Sequence, residues 1–267
     1  QRNELNGLKS LIASTLAFSL MTVCVKKIDG RIPIAELILA RAIISLVITW
    51  INLKKIGISP WGNNKKLLII RGFIGTCALF CFFSSLNYLP LSTATVIQYT
   101  YPTFTALIAF FILREKLKKR ILFSVILGWI GVNLVVKPIN VSGEQLYIPL
   151  KAVGIALTGA MLTALAYVIV RKLSKTEHPL VIIHYFPLLA VPISIPFCIN
   201  NAVMPKGVEW ILILGIGMFT QLGQLYITKG LSLLPAARAT SINYTQVLFG
   251  TIWGVLFFSE TLSIFIF

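Results

Sequence analysis

The chain alternates along its whole length between long apolar runs and short polar connections. The runs fall near 8–25, 33–52, 67–89, 91–113 and 119–137, then near 150–170, 179–199, 209–229, 236–258 and from 263 onward. About 20 predominantly apolar residues are what a helix needs to cross the hydrocarbon of a bilayer. The first run, Leu8 to Val25, is long enough to be a permanent span. The connections are too short to hide a soluble domain. Composition points the same way: 57% of the 267 residues are hydrophobic and 12% charged, where a soluble domain carries about 25% charge. A soluble fold would have almost no solvated surface, which excludes a soluble enzyme or a nucleic-acid-binding domain. Lys and Arg number 24 against 8 acids, but they cluster between apolar runs, where they orient a membrane protein. Cys24, Cys77, Cys81 and Cys198 lie in apolar stretches with no metal or disulfide spacing and read as small buried hydrophobes. No cofactor is expected.

The sequence also repeats. At an offset of 145, Leu86–Leu117 (LNYLPLSTATVIQYTYPTFTALIAFFILREKL) aligns with Leu231–Leu262 (LSLLPAARATSINYTQVLFGTIWGVLFFSETL), with 11 identities in 32 positions. The Leu-Pro turn, Ala94-Thr95, Tyr99-Thr100 and Glu115 are harder to match by accident than leucines are. Each unit, 1–145 and 146–267, then holds five spans. Because five is odd, two sequential copies must face opposite ways, the inverted-repeat plan of secondary transporters. The offset pairs Phe267 with position 122, so the tenth span is expected to be begun here and completed beyond residue 267.

Charge distribution tests that topology. With the N-terminus cytoplasmic, inside segments carry 16 Lys and Arg, including Lys54, Lys55, Arg114, Arg171 and Arg238, and outside segments carry 6, including Lys26, Lys27 and Arg31. This bias obeys the positive-inside rule. Arg41 and Arg71 fall within spans.

The stretch from Leu86 to Leu117 resembles the signature of EamA-type members of the drug/metabolite transporter superfamily. Its marks are Pro102 near mid-helix and the closing Glu115-Lys116-Leu117. The second copy closes in Glu260-Thr261-Leu262 but has Val247 in place of the proline, and Arg41 stands where the family often has an arginine. The resemblance covers essentially the whole chain. It implies an all-α integral membrane protein, a ten-helix bundle of two inverted five-helix repeats, transporting small metabolites, often amino acids and often outward.

Polar side chains within spans locate a pathway, because in lipid each needs a partner or a watery cavity. Glu36 is the one acid well inside an apolar run. It is either a proton-coupling carboxylate near the outer mouth, with Arg41 as its gate, or a membrane-edge charge that reaches water. The two residues point about 140° apart on a helix and make a poor intrahelical pair. Arg41 either binds a substrate carboxylate or ties its helix to another. Gln98, Tyr99 and Tyr101 correspond to Asn243, Tyr244 and Gln246 in the second unit. Amide and phenol groups placed twice at the expected repeat interface suit a small neutral, zwitterionic or aromatic solute, though such groups also tie helices together. Gln221 and Gln224 share a helix face and are candidates for the cavity wall, and Tyr167 in the sixth span is a further candidate. His184 is a candidate coupling or gating group, with a satisfied structural histidine as the plainer reading. Gly72, Gly75, Gly128, Gly131, Gly154, Gly159, Gly215 and Gly217 read as helix-packing positions. Pro187, Pro192 and Pro196 could loosen a helix.

No HExxH, P-loop, GxSxG or intramembrane carboxylate pair occurs. A non-enzymatic, secondary-active transporter is therefore expected in a bacterial inner membrane, N-terminus inside. It would move small neutral or zwitterionic metabolites by alternating access, by export or exchange. Alternatives are uptake of a nucleotide-like or anionic metabolite, for which only Arg41 and Arg71 could serve, and a non-transporting scaffold. The expected partners are a small-molecule substrate and the lipid bilayer, with a homodimer left open and nucleic acid excluded.

Overall fold

Inside hydrocarbon every backbone polar group must be satisfied within the chain, and a helix does this segment by segment. The computed structural model describes residues 2–28, 30–86, 88–89, 94, 97–115, 119, 123, 126, 149–199 and 202–258, and these form α-helices and connections without a strand. The helices are α1 (Arg2–Lys27), α2 (Ile34–Lys55), α3 (Lys65–Leu86), α4 (Tyr101–Leu113), α5 (Leu150–Leu173), α6 (Pro179–Cys198), α7 (Glu209–Leu233), α8 (Ala236–Ile242) and α9 (Thr245–Phe258). Among the described residues α1, α2, α5, α6 and α7 are long and apolar enough to cross a membrane, and α4 is a shorter apolar helix. Most of the fifth span, the tenth span, the Glu260-Thr261-Leu262 motif, Lys116-Leu117, Gly128 and Gly131 lie outside the described residues.

Two expected spans are interrupted. In the fourth, Tyr99 and Thr100 form a turn, and α4 begins at Tyr101 with Pro102 in its first turn. Proline lacks an N–H, so it is tolerated where a helix starts and its donors are unpaired anyway. In the ninth, Asn243 and Tyr244 form a turn between α8 and α9. The helix breaks there without a proline, so the interruption does not depend on one.

Helix pairing follows from small residues that admit close approach. Along α1 and α7, Leu11 packs against Gly230, Phe18 against Gly223 and Cys24 against Gly215. Ser14 Oγ donates to the Gly223 carbonyl at 2.9 Å. Position numbers rise on one helix as they fall on the other, so the two run antiparallel. In the same sense α3 runs antiparallel to α5, with Cys81 and Phe82 against Gly159 and Glu177 beyond α5 accepting from the Asn63 and Asn64 N–H groups ahead of α3. Ser14 and Gly223, shifted by 145, become Gly159 and position 78, and an ideal Cβ on Gly159 would lie 3.4 Å from the Ala78 carbonyl. Further pairings are α2 with α6 and α7, α3 with α6, α4 with α5 and α8, and α1 with α9.

The five described glutamates that pair or accept backbone bonds do so at the two ends of the bundle. At one end Glu4 pairs with Arg238, and Glu115 pairs with Arg171 at 3.5 Å while accepting from the Ala236 N–H at 3.0 Å. That bond satisfies one of the free donors at the start of α8. Glu177 holds the start of α3. At the other end Glu209 pairs with Arg31, and Glu36 accepts from the Val203 N–H at 2.8 Å.

Candidate functional site

The broken helices bring the repeated amides and phenols together in the middle of the bundle. Asn243 Nδ2 donates to the Tyr101 hydroxyl at 2.7 Å, both side chains being buried. Around that bond the rings of Tyr99 and Tyr101 lie 6.2 Å apart, Tyr101 and Tyr167 5.5 Å, and Tyr99 and Tyr244 6.1 Å. Gln98 Nε2 donates to Thr163 Oγ1 at 3.0 Å. Two acceptors in this cluster, Gln98 Oε1 and Asn243 Oδ1, are buried without a partner among the described residues. An unpaired buried amide oxygen loses its water without compensation, so both are available to a donor on a bound molecule. Gln246 makes its backbone bond to Asn243 at 3.0 Å and lies beside the same turn.

A second cluster is cationic. Arg41 on α2 and Arg71 on α3 are 7% and 3% exposed. Both guanidinium groups address the Phe186 ring of α6, at 5.8 and 5.1 Å from its centroid. Arg71 donates to Gln224 Oε1 at 3.3 Å, and Arg41 reaches the Met21 sulfur at 3.9 Å. Among the described residues Arg41 Nε and Arg71 Nε and Nη1 find no acceptor. Gln221 accepts instead from Ser45 Oγ. His184 approaches Thr49 Oγ1 at 3.1 Å through Nδ1 and the Trp50 ring at 5.9 Å, with Nε2 buried and unpartnered. Tyr167 lies within electrostatic reach of both arginines and joins the two clusters. Glu36 stands apart, at the Val203 end.

Two contacts join positions that the repeat makes equivalent. Tyr99 and Tyr244 are 145 apart and face one another, as do Arg41 and Phe186, also 145 apart. Phe186, Thr163, Met21, Thr49 and Ser45 escape a reading of polar motifs, since apolar and hydroxyl residues abound in membrane helices. Extending the offset beyond the aligned stretch would have placed Phe186 opposite Arg41.

The EamA-like transporter family matches the chain twice, over residues 5–137 and 150–267. The chain belongs to that family. Among curated EamA-like relatives, the pseudopaline exporter CntI of Pseudomonas aeruginosa is 28% identical over 256 residues, covering 96% of this chain and 88% of the exporter. Solute carrier family 35 member G1 of Mus musculus is 28% identical over 266 residues, covering 95% of this chain and 72% of the carrier. A solved crystal structure superposes with a TM-score of 0.76 at 17% identity, over 99% of this chain and 91% of the other, and shares the fold. This EamA-like chain is thus an integral membrane protein of a transporter family, and family and relatives alike are transporters of small molecules rather than enzymes.

Proposed function

We propose that the chain is a secondary-active transporter that exports or exchanges small metabolites such as amino acids and similar zwitterionic compounds. In this reading the units 1–145 and 146–267 are inverted repeats that rock about a solute held between them, in a bacterial inner membrane with the N-terminus inside. One observation carries it: the breaks in the fourth and ninth spans, at 99–100 and 243–244, share the pair Tyr99 and Tyr244, which are 145 apart, and these meet in the cluster with Tyr101 and Asn243. Non-helical backbone at membrane depth is tolerated where it lines a cavity, and in transporters such breaks mark the binding site. Residues that touch their own repeat equivalents lie on the axis relating the two halves. An axis in the membrane plane is a mid-depth feature, so Tyr99–Tyr244 and Arg41–Phe186 support a site at the bilayer centre.

The unpartnered N–H groups of Arg41 and Arg71 favour a second reading, in which the solute is anionic.

The test is radiolabelled amino-acid flux in proteoliposomes of the full-length protein, with and without a pH gradient. Saturable flux is expected for wild type and its loss for Tyr99→Ala and Gln246→Ala. Gradient dependence lost in Glu36→Gln alone would make Glu36 the coupling group. Full flux in the Tyr99 and Gln246 variants would put the pathway elsewhere, and no flux with any solute would favour a scaffold.

A further inference from the structure

The centre of the bundle holds two buried guanidinium groups and, among the described residues, no carboxylate. Every described glutamate that pairs is engaged at one end or the other: Glu4 with Arg238, Glu115 with Arg171, Glu209 with Arg31, Glu177 on the Asn63 and Asn64 amides, Glu36 on the Val203 amide. A buried charge is costly unless paired and hydrogen-bonded, and in a membrane such residues face a bundle interior or a water-filled path. Here the partial compensation comes from one amide oxygen, one thioether and one ring face. Cation–π contact offsets only part of a desolvated charge. Three nitrogens of Arg41 and Arg71 remain without an acceptor among the described residues.

A tie between helices would engage these nitrogens with side chains or carbonyls of the neighbouring helix, as Arg171 does with the Leu231 and Ser232 carbonyls at 2.8 and 2.7 Å. Arg71 makes one such bond, to Gln224 Oε1, and Arg41 makes none to an oxygen among the described residues. Both address the same Phe186 ring, which holds the two guanidinium groups near one another. Gly75 lets Arg71 and Phe186 pack close against the α3 backbone, since a Cβ there would stand 3.0 Å from Arg71 Nη1 and 3.1 Å from the Phe186 ring. A guanidinium presents paired N–H groups in a plane that matches a carboxylate.

We propose that Arg41 and Arg71 together receive carboxylate groups of the transported solute, so that the preferred solute is a polycarboxylate carrying net negative charge. This rests on the transport reading above, and it selects the anionic solute within it. The Tyr99, Tyr101, Tyr167 and Tyr244 cluster would then face the remainder of the molecule, with Gln98 Oε1 and Asn243 Oδ1 accepting from its donors.

The experiment uses the full-length protein, wild type beside Arg41→Gln, Arg71→Gln and the two Lys variants. Melting midpoints are measured in detergent without solute and with citrate, L-glutamate, L-leucine or inorganic phosphate, and counterflow of labelled citrate, glutamate and leucine is measured in proteoliposomes. The expected result is a midpoint raised by citrate and glutamate in wild type. In either Gln variant carboxylate affinity and counterflow fall roughly tenfold or more, the loss of a charge-assisted bond. The solute-free midpoint of those variants holds or rises, because an uncompensated charge has been removed. Lys variants, which keep the charge without the fork, retain part of the response. A Gln variant that melts early while its citrate response is unchanged would make the arginines structural ties and overturn the proposal. Phosphate acting where carboxylates do not would overturn the carboxylate assignment. Leucine counterflow without any citrate or glutamate response in wild type would sink the proposal and leave the transport reading standing. A citrate shift lost in the Gln variants, with no solute moving in wild type, would sink the transport reading and keep the anion site.

Discussion

Replacing Gly72 with alanine would put a methyl group where the backbone of α6 already lies. An ideal Cβ there stands 2.5 Å from the Tyr185 carbonyl oxygen, 3.1 Å from its carbonyl carbon and 2.8 Å from Leu189 Cδ1. The leucine side chain can rotate away, but the carbonyl moves only with its helix. Overpacking a closely packed interior costs about 1–3 kcal/mol, and a clash with backbone belongs near the upper end of that range. Gly154 on α5 is the matched control. It is exposed, and a Cβ there meets nothing within 4 Å, so alanine gains about 0.5–1 kcal/mol by restricting the unfolded chain. The two substitutions therefore differ in sign, and by roughly 3 kcal/mol in size. Each kcal/mol moves the melting midpoint by roughly 2–4 °C in a chain of a few hundred residues. Thermal unfolding of the detergent-purified variants, followed by tryptophan fluorescence, should place Gly72→Ala several degrees below wild type and Gly154→Ala at or slightly above it. Gly72 adjoins Arg71, so flux should fall with stability in the first variant alone. If Gly72→Ala melts at or above wild type, close approach of α3 and α6 is not what requires this glycine.

Two further outcomes follow from contacts at the ends and seams of the bundle. Glu115→Ala removes both the Arg171 ion pair and the acceptor for the Ala236 N–H, and should cost about 1–3 kcal/mol in a thermal melt, with Glu115→Gln recovering much of it by keeping an acceptor. Gly217→Ala would press a methyl group to 2.6 Å from two Ile44 side-chain carbons and destabilise by about 1–3 kcal/mol. Because the obstacle there is a side chain, adding Ile44→Ala should make the double variant more stable than the sum of the single effects, a coupling read from a double-mutant cycle.

Much of this architecture is legible along the chain because lipid imposes a local rule. Run length near 20 apolar residues predicts spanning helices wherever the backbone must satisfy itself, and the structure bears out an all-helical membrane protein. The 145-residue offset needs only the sequence, as does the expectation that polar residues within spans mark a pathway. Gln98, Tyr99, Tyr101, Asn243 and Tyr244 could be singled out this way, because a doubled pattern stands above the noise of apolar helices. What lipid does not impose locally stayed hidden. Hydropathy reads the fourth and ninth spans as continuous, since a turn at Tyr99-Thr100 or Asn243-Tyr244 changes no side chain's polarity. Glycines at 223 and 230, which seat Phe18 and Leu11, carry no signal of their own, since small size matters only once a partner helix is known.

The sequence by itself determined the class of molecule, its spans and its candidate polar residues, because the cost of polar groups in hydrocarbon acts on each segment separately. Tertiary structure alone decided which charges are paired. Glu36 and Arg41 lie on one helix, yet the first accepts from the Val203 amide and the second turns to a ring on α6. Whether a buried arginine is neutralised depends on acceptors brought to it by other helices, and that is a property of packing, which one-dimensional spacing does not encode.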